Sequence, residues 1–296
     1  MADARTEEKA FEDGDFCAAV RLRLRQDVGL GLRCSNTSAS GWPCAKTVDP
    51  KGDHALTCKK GPGVFGKHNG LVRLLARLLR AAGYNVATEV WEPRWNKIQR
   101  DRQGRPKRDR RGNVLQAHAR LDLRLQAPPE EPLTYGDVVV GHPCAESWVR
   151  DAANVDGATA EVGVRRKLKR YPPEMLPSAK LVAFSVETWG RWAPEAVAFL
   201  KRAAGRAAQR SPGLASPDEG GANAVYAAWL RQLSCALQKG NVACLRGAAS
   251  GQPRNSASGE QVDEGGDEEI PGWLEEQIDD LIAQAAAAAG VETGGA

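Results

Sequence analysis

What this chain of 296 residues lacks narrows its reading first. No apolar run approaches the ~20 residues that a membrane-spanning helix needs, so no membrane partner is expected. The opening stretch, "MADARTEEKAFEDGDF", is acidic and polar and carries no secretion signal. Without one, Cys17, Cys34, Cys44, Cys58, Cys144, Cys235 and Cys244 are expected as reduced thiols. Histidine is scarce, at four residues. Two of those four lie close to three of the cysteines, which points to metal. No internal repeat is apparent.

Charge is plentiful but uneven. The net charge of +4 conceals an arginine-rich middle and acidic ends, the sharpest being "EQVDEGGDEEIPGWLEEQIDD". A basic middle beside an acidic tail is a common footprint of nucleic-acid proteins, and also occurs in proteins that bind none. Apolar spacing predicts a short amphipathic helix over 16–27 and a strong one over 69–82, with Gly83 as its C-cap. Strands are expected over 84–91 and 180–190, with two more around the apolar runs at 121–125 and 137–140. Helices are expected toward the end of 144–171, over 193–209, and singly or as a pair over 222–249. The order is helix–strand–strand–strand–helix–strand–helix, an α/β pattern with a mixed sheet. Residues 92–117 read as a long loop or an exposed hairpin.

From Gly29 to Gly70 the chain is rich in Gly, Pro, Ser, Asn and Cys and too poor in apolar residues to build a core unaided. It carries Cys34, Cys44, His54 and Cys58 as C-x9-C-x9-H-x3-C, with His68 ten residues later. Zinc takes four N/S ligands in a tetrahedron, and a close pair such as His54 and Cys58 supplies two from one turn. The expectation is a structural zinc site, with His68 as substitute ligand or as the start of the next helix. The plainer alternative is free cysteines beside incidental histidines.

Asp122 and Asp137 each sit inside an apolar run, "LDLRL" and "DVVV". A hairpin places both carboxylates on one side if the alternation of the strands allows it. Together they would suit Mg²⁺ or Mn²⁺, which take hard oxygen ligands and promote phosphoryl chemistry. Glu89 is a third carboxylate within reach. The alternative is structural: Asp122 is flanked by Arg120 and Arg124, either of which could pair with it.

Taken in order, "C…C…DPKGDHALTC…KHN", "ARLDLRL", "DVVVGHP", "VRRKLKRY" and "FSVETWG" resemble the C-terminal part of non-LTR retrotransposon proteins. There a zinc knuckle precedes a restriction-like endonuclease of the PD-(D/E)xK superfamily. The likeness covers roughly residues 30–205. It implies a restriction-endonuclease-like mixed sheet flanked by helices, behind a small zinc-binding segment. The implied division is an N-terminal helix and tail over 1–33, a zinc knuckle over 34–68 and a nuclease domain over 69–209. A helical extension over 210–249 follows, then an acidic, largely disordered tail with a terminal helix over 250–296. Leu121 stands where the family has proline. Val139 stands where the superfamily keeps its lysine, so the resemblance implies a lysine from the next helix. Lys167 is the first choice, with Lys169 beside it and Tyr171 completing K-x3-Y. No reverse-transcriptase motif is present, so the chain reads as a fragment, a stand-alone derivative or a degenerate copy.

The basic stretch places Arg100, Arg102, Arg105, Lys107, Arg108, Arg110 and Arg111 as DNA-backbone contacts. Trp91 and Trp95 are stacking candidates, with packing favoured for Trp91. "RPKRDRR" resembles a nuclear-import signal, so a nuclear location is expected. The reading is a Mg²⁺- or Mn²⁺-dependent endonuclease that nicks DNA, its partner being DNA or the RNA–DNA hybrid of a parent element. The alternative is a zinc-dependent nucleic-acid-binding module without catalysis.

Overall fold

The computed structural model describes residues 11–250 apart from 29–30, 32, 128–130 and 211–219. All of these belong to one compact unit. The expected acidic tail and terminal helix, over 250–296, lie outside the described residues.

The core is built on α3 (Pro62–Ala81), whose Leu71, Leu74, Leu75, Leu78 and Leu79 recur at helical spacing and are all buried. The helix starts at Pro62, seven residues before the start expected at 69. Pro62 occupies its first turn, where a missing N–H costs nothing. Gly83 follows the C-cap with φ +85, a left-handed position suited to glycine.

Four strands form the main sheet in the order β1 (Asn85–Trp91), β4 (Arg120–Gln126), β5 (Leu133–Gly141), β6 (Ala179–Glu187). The first three are antiparallel, while β5 and β6 are parallel and joined through helix α5 (Ala158–Arg170). The chain is therefore mixed α/β, with a mostly antiparallel mixed sheet flanked by helices. On one side, α3 and α6 (Pro194–Arg210) share a core with Val86, Leu123, Leu125, Val138 and Phe184. The stretch over 222–249 is one helix, α7 (Gly220–Ser250). Its Trp229, Leu233 and Leu237 join that core, and its Cys244, Leu245 and Ala248 reach the cysteine-rich segment. Close approach of α3 and α7 needs glycine: a Cβ on Gly63 would stand 2.7 Å from Cys244 Cα.

Helices α1 (Asp13–Arg23) and α2 (Asp53–Thr57) and a bridged hairpin complete the N-terminal segment. Its apolar cluster joins Leu22, Val48, Ala55 and Leu56 to Cys34 and Cys58. A short helix α4 (Val149–Asn154) precedes α5.

Between β1 and β4 the chain makes an exposed ribbon, begun by β2 (Lys97–Ile98) pairing with β3 (Gln116–Ala117). Contrary to expectation it contains a repeat: R-D-R-x-G occurs at Arg100–Gly104 and again at Arg108–Gly112. In each copy the aspartate caps the turn. Asp101 Oδ1 accepts from the Gln103 and Arg105 N–H groups, and Asp109 Oδ1 from those of Arg111 and Asn113. The glycines close the turns at φ +79 and +84. The repeat is legible only as turn chemistry, because it has no apolar periodicity.

Candidate functional site

Two centres emerge from this frame. In the N-terminal segment, one ligand atom from each of Cys34, Cys44, His54 and Cys58 lies within 4.8 Å of the others. Cys34 Sγ is 3.8 Å from Cys58 Sγ, Cys58 Sγ is 3.6 Å from Cys44 Sγ, and Cys44 Sγ is 3.3 Å from His54 Nε2. Corners of a tetrahedron with bonds of 2.0–2.3 Å are about 3.3–3.8 Å apart, so these residues are close enough to bind a metal ion and suit structural zinc. Asp49 places the histidine by accepting the His54 N–H at 2.8 Å. Burial, with Lys46 nearby, pushes the His54 imidazole down toward the neutral form that ligates metal.

His68, the substitute ligand, lies outside that cluster. It projects from α3 to the second centre, where its Nε2 is 3.1 Å from Asp122 Oδ2. The β4–β5 ladder pairs Leu123 with Gly136, and just beyond it the carboxyls of Asp122 and Asp137 adjoin and influence each other's ionisation. Asp122 Oδ2 also accepts the Val138 N–H at 2.6 Å. Burial pushes Asp122 up, but His68, Asp137 and that N–H outweigh it and hold it near about 2. Asp137 is 3% exposed, and burial beside a second carboxylate drives it to about 7 despite Lys167. Burial disfavours a charge on His68, yet Asp122 lifts it to about 8.

Lys167 completes the centre, its ammonium 2.7 Å from Asp137 Oδ2. The contact is an ion pair, and the oxygen that makes it is buried. Helix α5 delivers the lysine through three residues four apart. Thr159 N–H donates to Glu187 Oε1 at 3.1 Å, fixing the helix start on β6. Gly163 lets the helix sit close, since its Cβ would be 2.3 Å from Ser185 Oγ and 3.0 Å from Val139 Cγ1. Lys167 follows one turn later. The position two residues after Asp137 is therefore roofed by the helix that brings the amine.

The other named residues fall outside this constellation. Glu89 pairs with Arg120 and has a left-handed backbone, φ 55. Lys169 gives its carbonyl to Lys97 Nζ at 2.9 Å. Tyr171 is buried, its hydroxyl donating to the Arg120 carbonyl at 3.0 Å, and its ring lies 6.0 Å from the Lys167 amine. A second trio, Asp53, His142 and Cys144, is also compact. There the Asp53 carboxylate already accepts from both Arg25 and His142, and the His142 ring meets the Thr188 hydroxyl at 2.8 Å. That chain of bonds braces α2, next door to His54, against the end of β5.

On the ribbon, the turns consume three of the seven basic side chains. Arg100 and Arg108 donate to the Gly104 and Gly112 carbonyls, and Arg105 to Asp101. Arg102, Lys107, Arg110 and Arg111 stand exposed. The tryptophans reverse the expectation. Trp95 is 1% exposed and donates to the Pro172 carbonyl beneath β4 and β5, whereas Trp91, on an edge strand, is 57% exposed. Among the described residues no helix is long and apolar enough to cross a membrane.

No protein-family model matches the chain, and no curated protein matches it.

Proposed function

We propose that this protein is a metal-dependent DNA endonuclease of the restriction-like, PD-(D/E)xK type, related to the nucleases of non-LTR retrotransposons. The observation that carries the proposal is the convergence of Asp122, Asp137 and the Lys167 amine from two strands and the following helix. The order α3–β1–β4–β5–α5–β6, a mixed sheet flanked by helices, supports it.

Asp122 and Asp137 would hold Mg²⁺ or Mn²⁺. The fit rests on the paired hard oxygens of two adjoining carboxyls, that of Asp137 almost wholly buried. When bound, such an ion lowers the pKa of a coordinated water and neutralises charge developing on phosphate. Lys167, fixed by Gly163 and its pairing with Asp137, orients the attacking water or stabilises the phosphate charge. Arg102, Lys107, Arg110 and Arg111 hold the DNA backbone through charge. DNA as partner agrees with a nuclear location, for which "RPKRDRR" is the supporting signal. Cys34, Cys44, His54 and Cys58 would hold a zinc ion that serves the fold.

One observation favours the non-catalytic module as a second reading. His68 and Lys167 already offset both carboxylates, so the centre is electrically satisfied without a metal ion. Nicking of supercoiled plasmid in Mg²⁺ or Mn²⁺ separates the two: the endonuclease cuts and its Asp122→Ala variant does not, whereas the module binds and never cuts.

A further inference from the structure

Among the described residues Trp42 is the most exposed of the large apolar side chains, at 71%, yet it stands on a closely bonded turn. Ser38 N–H donates to the Trp42 carbonyl at 2.9 Å, Gly41 N–H to the Ser38 carbonyl at 2.9 Å, and Trp42 N–H to Ser38 Oγ at 3.0 Å. On one side Gly41 takes φ +82, and on the other Pro43 fixes its own φ and bridges to Thr37. The two legs of this hairpin end in metal-cluster cysteines, Cys34 and Cys44. The Cys44 N–H donates to the Asn36 carbonyl at 2.8 Å, and the Cys34 N–H to that of Lys46 at 2.8 Å. An indole is thus held out into water on a short arm rooted in the cysteine cluster.

The charge around it is one-sided. Residues 33–60 hold Arg33, Lys46, Lys51, Lys59 and Lys60 against Asp49 and Asp53. Both carboxylates are engaged internally, Asp49 by backbone N–H groups at the start of α2 and Asp53 by Arg25 and His142. Lys60 reaches the tip itself, its Nζ donating to the Pro43 carbonyl at 3.0 Å. An ammonium has three donors, so that bond leaves two for a phosphate beside the ring.

An exposed indole with cations at its edge fits an unpaired nucleotide: the ring stacks on the base while lysine meets the backbone. A duplex hides its base faces and offers phosphates alone. We propose that the Trp42 hairpin is a stacking platform for single-stranded nucleic acid. It would engage an unpaired strand through the base and the phosphate together. The proposal rests on the nucleic-acid reading, but not on cleavage.

The test uses the full zinc-loaded chain without added Mg²⁺ and a dodecamer DNA carrying 2-aminopurine, single-stranded or annealed. The wild type quenches 2-aminopurine in the single strand. Trp42→Ala weakens single-strand binding by about fivefold or more, while Trp42→Phe retains most of it, and duplex binding changes less than twofold. Absence of quenching by the wild type overturns the proposal. So does equal single-strand affinity of Trp42→Ala and wild type, the result expected if the indole serves a protein partner instead. Equal loss for both DNA forms also overturns it. Plasmid nicking by the same preparations reports the endonuclease reading separately.

Discussion

Lys167 reaches Asp137 from a neighbouring helix, 2.7 Å from Oδ2, rather than from the strand that carries the aspartate. This relationship makes two adjacent lysines unequal. Lys167→Ala should reduce plasmid nicking about 100-fold with little change in DNA affinity. Lys169→Ala should leave the rate within about threefold, because the contact that places Lys169 is made by its carbonyl, which accepts from Lys97 Nζ. Single-turnover nicking rates check both.

Gly163 sets how close that helix lies. Gly163→Ala places a Cβ 2.3 Å from Ser185 Oγ, so either the helix or the serine must shift. The expected cost is about 1–3 kcal/mol in urea unfolding, with a larger proportional loss of nicking. Adding Ser185→Ala removes the nearest atom and should recover part of both. Absence of coupling in that double-mutant cycle contradicts the close-approach argument.

Zinc loading should be one ion per chain by metal analysis of the purified protein. Cys58→Ser should lose it and lower the melting temperature, because Cys58 lies in the apolar cluster of its segment as well as in the ligand set. His68→Ala should keep the zinc, since His68 faces Asp122 instead.

Acid stability should respond to Glu92. Its carboxylate is bound by Arg94 and accepts from the Tyr135 hydroxyl at 2.6 Å, which together overcome burial and hold it at about 2, below the ordinary 4.5. A lowered folded-state value means stability that is complete above about pH 4.5 and is lost as pH falls toward about 2. Melting curves across that interval should be flatter for Glu92→Gln, which is also less stable than wild type at neutral pH.

The salt dependence of DNA binding should follow the ribbon. Arg102 and Arg110 occupy the same place in the two copies of its turn and stand exposed. Replacing both with glutamine should weaken binding across DNA sequences and reduce the salt slope by about 2. An unchanged slope would remove the ribbon from the interface.

Much of this was legible in the residues. The leucines of α3 mark a helix face, and "LDLRL" and "DVVV" mark strands by composition. The zinc ligands stand out because soft donors cluster in a segment without a core of its own. Other features were hidden because they depend on packing. His68 lies near the cysteines in sequence and so reads as their partner, but α3 begins at Pro62 and carries it away toward β4. Trp95 looks like a loop tryptophan until a tight turn folds it under the sheet. The glycine spacing that brings α5 onto Ser185 has no signature without the facing strand.

The central claim is that Asp122, Asp137 and Lys167 hydrolyse phosphodiester bonds with a divalent ion. The most direct test is conversion of supercoiled plasmid to open circle in Mg²⁺ or Mn²⁺, comparing wild type with Asp137→Ala. The account predicts metal-dependent nicking by the wild type, abolished by EDTA and reduced at least about 100-fold in the variant. Equal cutting by the two proteins, or binding without cutting by the wild type, would contradict it.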